Sequence, residues 1–241
     1  MARRIRVAPG GFVYHVVNRV AGRQILFETS ADFAAFERLL SQAQDRTGMR
    51  ILAYCLMRNH WHLLPWPVND GSLSTFMQWL TGTHAQRWAV AHDAVGRGAV
   101  YQSRFKSMPV QSDHHLLTVW RYVERNPLRA NLVNSAQDWH WSSLSPTRHV
   151  RKTPELTASP IELPANWIDY VNMPQTAGEL AAIRASIDCG APFGDADWSN
   201  AASEAIGWRP HGRPKKGVVP LFRGHDPEKG VRPLFSDPPQ T

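Results

Sequence analysis

Four segments of the chain show the composition and spacing of β-strands. Residues 12–20 (FVYHVVNRV), 50–57 (RILAYCLM) and 60–66 (HWHLLPW) are rich in β-branched, aromatic and aliphatic side chains. An Arg-Asn pair separates the second segment from the third, which predicts a tight turn between antiparallel strands. Residues 105–112 (FKSMPVQS) predict a fourth strand. It is expected at a sheet edge, because its proline lacks the N–H that a central strand must donate.

Three further segments carry apolar side chains at helical spacing. Residues 30–48 predict a helix with an apolar stripe, which Ser30 can cap and Gly48 can end. Residues 72–92 and 113–126 have the same periodicity, and an aspartate begins the last of them. The predicted order is therefore β-α-β-β-α-β followed by a helix.

This order predicts an α+β protein with a ferredoxin-like antiparallel sheet and helices on one face. The other face of the sheet is then available for a functional site, with the helix of residues 113–126 lying across it.

The pattern changes after about residue 145. Residues 146–175 are rich in Pro, Ser and Thr and aperiodic, which predicts a linker after a first domain at 1–145. Residues 176–241 are predicted to form two short helices, at 176–190 and 195–207, and a Pro/Gly-rich tail.

Charge is concentrated in that tail. The chain carries 27 Lys and Arg against 20 Asp and Glu, a net charge of +7. Residues 207–232 contain seven Lys or Arg and two Asp or Glu, so this stretch contributes +5 of the total. Such a block favours a polyanionic partner, nucleic acid above all, over a merely solubilising tail.

The remaining composition excludes several classes of protein. No apolar run approaches the roughly 20 residues of a membrane span, and the N-terminus lacks a secretory signal. Two isolated cysteines, Cys55 and Cys189, exclude a disulfide framework and a Cys-rich zinc site, and both are expected to be buried or half-buried. We therefore expect a cytoplasmic, nucleoid-associated protein.

The segment NHWHLL contains the first candidate site. Side chains alternate across a strand, so His60 and His62 point to one face while Trp61 points to the core on the other. Two imidazoles at this spacing can reach one metal ion. An H-x-H pattern alone, however, occurs more often as a solvent-facing pair than as a ligand pair.

The helix of residues 113–126 carries the second candidate. Tyr122 and Asn126 are one turn apart, although Pro127 disfavours helical geometry at Asn126 and predicts a kink there. If this helix crosses the open sheet face, a phenol and an amide oxygen approach the histidine pair. On spacing alone, an ordinary half-buried tyrosine is the simpler interpretation. The adjacent His114 and His115 diverge by about 100° on a helix, and we interpret them as structural or DNA-contacting.

Several blocks, in fixed order, resemble the REP-associated tyrosine transposases of the IS200-type, single-tyrosine HUH group. They are FVYHVVNR, NHWHLL, YQSRFKSMPV, LLTVWRYVERNPLRANLV, DWHWSS, GAPFGDADW and RPHGRPKKG. Together they span nearly the whole chain, with residues 145–166 the least typical part.

The resemblance implies a role for each candidate residue. His60 and His62 are implied metal ligands, Asn126 the third ligand and Tyr122 the nucleophile that forms a 5′-phosphotyrosine link. Mixed nitrogen and oxygen ligands suit Mg²⁺ or Mn²⁺, and two histidines favour Mn²⁺. The implied substrate is single-stranded DNA that folds into a repetitive palindromic hairpin.

Basic residues around these blocks are candidate DNA contacts. They are Arg19, Arg104, Lys106, Arg121, Arg125, Arg129, Arg209, Arg213, Lys215 and Lys216. A solvated edge strand is the alternative interpretation for Arg104 and Lys106. In the tail, the Gly-Arg-Pro segment around Arg213 is similar to arms that lie in the minor groove.

Three functions follow as hypotheses. The first is a metal-dependent, single-tyrosine DNA endonuclease and strand transferase. The second is a hairpin-binding architectural or regulatory protein without cleavage activity, and the third is a metal-dependent RNA nuclease in which water attacks. The family includes domain-exchanged dimers and monomers, and the C-terminal extension favours a monomer here.

Overall fold

The computed structural model describes residues 7–22, 24–148 and 152–209, and in this part of the chain four strands form one antiparallel sheet. The strands are β1 (Val13–Arg19), β2 (Arg50–Met57), β3 (His60–Trp66) and β4 (Lys106–Val110). Their order across the sheet is β2-β3-β1-β4, which is the ferredoxin-like arrangement predicted from the sequence.

Helices cover both faces of this sheet. The N-terminal part contributes α1 (Ser30–Thr47) and α2 (Ser72–Ala91). After β4 follow α3 (His114–Glu124), α4 (Asn126–Arg129), α5 (Trp167–Asn172), α6 (Ala177–Cys189) and α7 (Ala196–Ala205). None of the helices in the described part of the chain is long and apolar enough to span a membrane.

Alternation along β3 divides the apolar interior into two layers, as predicted. Trp61 and Leu63 are fully buried in the layer that contains the apolar side chains of α1 and α2. Leu64 lies in the opposite layer, with the apolar side chains of α3 and α6. His62 alternates with Trp61 and therefore points toward α3. The strand thus carries its histidines on the face that the tyrosine-bearing helix covers.

Helix α1 begins and ends at residues that cap it. A capping box of Thr29 and Asp32, rather than the predicted Ser30, starts α1, because Thr29 has the extended backbone that lets its hydroxyl accept from the Asp32 N–H. Gly48 ends α1 in the left-handed conformation, with φ of 64°.

Both outer edges of the sheet are covered by later parts of the chain. On β2, the Leu56 N–H donates to Trp141 O and the Ser143 N–H donates to Tyr54 O, each at 2.9 Å. On β4, Phe193 forms a parallel bridge with Val110. Covering an edge satisfies its backbone groups and prevents pairing with other chains.

The segment interpreted as a linker is therefore more structured than its composition suggests. Thr157 donates its N–H to Ile51 O at 2.8 Å, and Gln44 hydrogen-bonds the backbone of Glu155 in both directions. The helix α5 also lies within this segment. These contacts are long-range and leave no periodic signal in the local sequence.

The prediction that both cysteines are buried or half-buried is wrong for Cys189. Cys55 is buried as expected, whereas Cys189 is exposed because it is the last residue of α6, beside the C-cap Gly190.

Two glycines provide a test of the packing. A Cβ on Gly10 would lie 2.2 Å from the backbone oxygen of Val68, whereas a Cβ on Gly82, inside α2, meets no atom within 4 Å. We expect Gly10→Ala to lower the free energy of unfolding by about 1–3 kcal/mol, because backbone must move. The control Gly82→Ala should raise it by about 0.5–1 kcal/mol. Urea denaturation measures both, and an unchanged midpoint for Gly10→Ala would contradict this packing.

Candidate active site

The histidine pair lies at the centre of the sheet face that α3 covers. His62 is fully buried, His60 is half-buried, and their ring centroids are 5.0 Å apart. His60 is opposite Arg19 in the neighbouring strand β1 and opposite Met57 in β2. The pair therefore lies on a strand inside the sheet and not on an edge strand, with His60 at the first residue of β3.

Each imidazole is oriented by a contact at its Nδ1 atom. His60 Nδ1 lies 2.6 Å from Asn59 Oδ1, an oxygen that accepts a hydrogen bond when Nδ1 carries the proton. His62 Nδ1 lies 2.8 Å from His15 Nε2. With Nδ1 occupied in both rings, Nε2 is the atom that would bind a metal ion. Such second contacts to metal-binding histidines set their tautomer and orientation.

His15 is a residue of this site that the sequence analysis missed. It lies on β1, is buried, and stacks on His62 with ring centroids 5.0 Å apart and planes 14° apart. Its Nδ1 is buried without a hydrogen-bond partner in the described part of the chain. Alternation places His15 on the same face of β1 as Arg19, so the strand pattern contained this signal.

Tyr122 approaches the histidines from α3. Its ring is fully buried, and its centroid is 5.8 Å from that of His62 and 5.9 Å from that of His15, both with edge-on geometry. The structure thus unites a phenol with two of the three imidazoles. This juxtaposition is the one that spacing alone could not establish.

Buried polar contacts hold α3 in this position. Glu124 is buried, and its carboxylate accepts from Ser143 Oγ at 2.7 Å and from Trp167 Nε1 at 2.8 Å. Arg121 is also buried and forms an ion pair with Glu179 of α6 at 2.6 Å. Arg121 and Glu124, which flank Tyr122 in the sequence, therefore tie α3 to the segment at the sheet edge and to the C-terminal helices.

Asn126 lies at the first residue of α4, where the kink predicted from Pro127 separates it from α3. The residue is buried, and its Nδ2 has no hydrogen-bond partner among the described residues. The amide oxygen of this side chain is the atom that would bind a metal ion. Its role as the third ligand stays a prediction.

The candidate DNA contacts divide into four groups. Arg104 and Arg209 are exposed, and Arg19 is half-buried next to His60. Arg121 is ion-paired inside the fold and Lys106 pairs with Asp188 at 2.9 Å, so each already has an internal partner.

Two more of these residues lie close to α3. Arg125 donates to Asn172 O at 3.4 Å, and the Cζ atom of Arg129 lies 4.1 Å from the centre of the Tyr122 ring. The remaining candidates in the tail, Arg213, Lys215 and Lys216, lie outside the described residues.

With this geometry described, comparison with known proteins becomes informative. Residues 10–126 match the model of the family Transposase IS200 like. This part of the chain belongs to the IS200-like transposase family. The matched region contains β1 to β4 and ends at Asn126, so it includes the histidine pair and Tyr122. No protein of curated function matches the chain in sequence.

Solved structures extend the comparison to the fold. A REP-associated tyrosine transposase bound to a REP hairpin aligns with a TM-score of 0.51 and 15% identity, covering 73% of this chain and 92% of that one. The two share the α+β fold. A candidate transposase from Deinococcus radiodurans R1 aligns with a TM-score of 0.36 and 17% identity, over 52% of this chain and 94% of that one.

A second group of possible metal ligands lies at the start of α3 in the transposase domain. Donor atoms of Asp113, His114 and His115 are all within 4.8 Å of one another. The two rings, expected to diverge, have centroids 4.0 Å apart, because both face the carboxylate of the capping Asp113. This group is more exposed than the histidines on the sheet.

Burial determines the protonation of the sheet histidines. Removal from water, followed by the charge of Arg129, lowers the pKa of His15 to about 3. Burial, followed by the charges of Arg19 and Arg129, lowers the pKa of His60 to about 3. Burial, followed by His60, also holds the pKa of His62 well below its usual value. All three rings are therefore neutral at pH 7, which is the state that binds metal.

These shifts predict acid sensitivity in the presence of EDTA. Below about pH 6.5 an unfolded histidine binds a proton, but the folded ring does not until about pH 3. The free energy of unfolding should therefore fall as the pH drops from 6.5, by about 1.4 kcal/mol per pH unit for each such histidine. Urea denaturation between pH 7.5 and 5 measures how the free energy of unfolding changes with pH. This pH dependence should be smaller in His15→Gln than in wild type by about 1.4 kcal/mol per pH unit.

A control comes from Met108, which is buried directly opposite His15 on β4. Met108→Leu perturbs the same pocket without removing a titrating group, so the pH slope should stay that of the wild type. An unreduced slope in His15→Gln would show that His15 is not buried in neutral form.

Proposed function

We propose that the protein is a metal-dependent, single-tyrosine HUH transposase that cleaves and rejoins single-stranded hairpin DNA. The observation that carries this proposal is the packing of the Tyr122 ring against His62 and His15 on one sheet face. A nucleophile beside a pair of metal-type ligands is the arrangement that such a strand transfer requires.

The residues around the pair fit a divalent ion. His60 and His62 would bind it through Nε2, because Asn59 and His15 contact their Nδ1 atoms, and Asn126 would add an oxygen. This mixed set suits Mg²⁺ or Mn²⁺. When bound, the ion would polarise the oxygens of the scissile phosphate.

Tyr122 is the proposed nucleophile. Its phenol oxygen forms a bond to phosphorus and loses its proton, while the bond from phosphorus to the 3′ oxygen breaks and that oxygen leaves as a hydroxyl. The product is a 5′-phosphotyrosine that conserves the phosphodiester energy, so a second 3′ end can rejoin without ATP. Burial raises the pKa of Tyr122, and the charges of Arg129 and Arg184 oppose that rise.

Recognition of the hairpin is assigned to the basic residues. The tail holds +5 of the net charge of +7, which favours the backbone of a folded DNA stem. The single strand would then lie across the catalytic sheet, near Arg19 and Arg104. The REP hairpin in the structure of similar fold, together with the sequence blocks, supports a repetitive palindromic substrate. We propose that the protein acts as a monomer on DNA in the cytoplasm.

The decisive experiment uses a labelled single-stranded hairpin oligonucleotide and Mn²⁺. Wild type should give a covalent protein–DNA adduct on denaturing gels and release a free 3′-hydroxyl fragment. Tyr122→Phe should lose the adduct completely and keep hairpin affinity, because only the nucleophilic oxygen is removed. Tyr170→Phe is the matched control, as it removes another phenol near α3, and it should keep full activity.

The other two hypotheses give different results. Cleavage that persists in Tyr122→Phe without an adduct would indicate a nuclease in which water attacks. Tight hairpin binding by wild type with neither cleavage nor adduct would indicate an architectural or regulatory protein.

A further inference from the structure

Helix α6 lies outside the region that matches the transposase family, yet it packs on the proposed active site. Ile183 and Ile187 of α6 are buried in the same apolar layer as Tyr122. Ion pairs fix the helix at both ends. Glu179 bonds Arg121 of α3 at 2.6 Å, and Asp188 bonds Lys106 of β4 at 2.9 Å. The helix is therefore held across α3 and β4.

Arg184 lies between these two ion pairs, next to the buried Ile183. Its side chain acts on Tyr122 both by charge and by hydrogen bonding, and both effects oppose the rise in the pKa of Tyr122 that burial causes. The Nε atom of Arg184 is buried and lacks a hydrogen-bond partner in the described part of the chain. A guanidinium has five donors in a fixed plane, so this side chain retains capacity for a ligand.

Arg129 also contacts the side chain of this tyrosine. Its Cζ atom lies 4.1 Å from the ring centre. The two guanidinium groups are close enough for the charge of Arg184 to act on Arg129. Two positive charges thus converge on the phenol that is proposed to attack phosphorus.

The neighbouring carboxylates already have partners, although the charge of Asp188 also acts on Tyr122. Asp188 pairs with Lys106, Glu179 pairs with Arg121, and Glu124 accepts from Ser143 and Trp167. Bringing two cations together beside a buried ring is unfavourable unless an anion joins them. The charge of Asp188 alone does not balance both guanidinium groups, so the arrangement favours the binding of a further anion.

We propose that Arg184 and Arg129 form a phosphate clamp around Tyr122, so that the C-terminal helix α6 completes the active site. This inference rests on the proposed function for its ligand, the scissile phosphodiester of DNA. Arginine binds phosphate oxygens through paired donors, which suits an in-line attack. Because the Tyr122 ring is fully buried, we expect the phosphate to approach from the side of Arg184, which is half-exposed.

The first test measures anion binding without catalysis. Inorganic phosphate is titrated into the full chain by calorimetry, with EDTA present. Wild type should bind it, and Arg184→Gln should weaken binding at least tenfold. The control Arg97→Gln removes an exposed arginine that pairs with Asp93, and it should bind like wild type. Undetectable binding by wild type, or equal binding by Arg184→Gln, would overturn the proposal.

The second test measures the rate of adduct formation with the hairpin oligonucleotide under single-turnover conditions. Loss of one such donor typically lowers the rate about 10²–10³-fold, and we expect this for Arg184→Ala. Added guanidinium at millimolar concentration should restore part of the rate, which a merely structural defect would not allow. An Arg184→Ala rate equal to that of wild type would refute the clamp.

The two proposals fail separately. If wild type binds phosphate through Arg184 but forms no adduct, the anion site stands and the ligand is free phosphate or uncleaved DNA, while the proposed strand transfer falls. If wild type forms the Tyr122 adduct and Arg184→Gln does so equally fast, the strand transfer stands and the clamp falls. Should Arg184→Gln melt at a lower temperature than wild type, Arg184→Lys keeps the charge and should retain weak phosphate binding.

Discussion

The edge-on contact between the Tyr122 ring and the imidazoles of His15 and His62 is the interaction on which the site depends. It exists because strand alternation sends His62 to the face opposite Trp61, and because α3 then covers that face. Trp61 anchors β3 in the apolar layer under α1 and α2, which leaves the histidine face for chemistry. Strand β3 thus places Trp61 in the apolar core and His60 and His62 in the proposed site on the opposite face.

Local sequence patterns predicted most of this architecture. Period-two and helical spacing identified the four strands, the three long helices and the turn before His60, so the order of elements specified the sheet. The pairing of His15 with His62 could not be predicted, because the two histidines lie in different segments and only the register between β1 and β3 brings them together. Once the register of two strands is known, histidines that face each other across them can be recognised as one site.

The C-terminal third was harder to predict for a physical reason. Its position depends on hydrogen bonds to the backbone edges of β2 and β4 and on the buried carboxylate of Glu124. None of these contacts requires a periodic sequence, so residues 146–175 resembled a linker. The ion pairs of Glu179 with Arg121 and of Asp188 with Lys106 place α6, and with it Arg184, beside Tyr122, which no short motif indicates. The proposed active site therefore draws on the extension as well as on the family domain.

The central claim is that His60 and His62 hold a divalent ion next to Tyr122. Crystals soaked in Mn²⁺ and measured at wavelengths on both sides of the manganese absorption edge would locate the ion directly by its anomalous signal. The account predicts a peak within bonding distance of Nε2 of both histidines and on the Tyr122 side of β3. A manganese peak at Asp113, His114 and His115 instead, with none between His60 and His62, would contradict it.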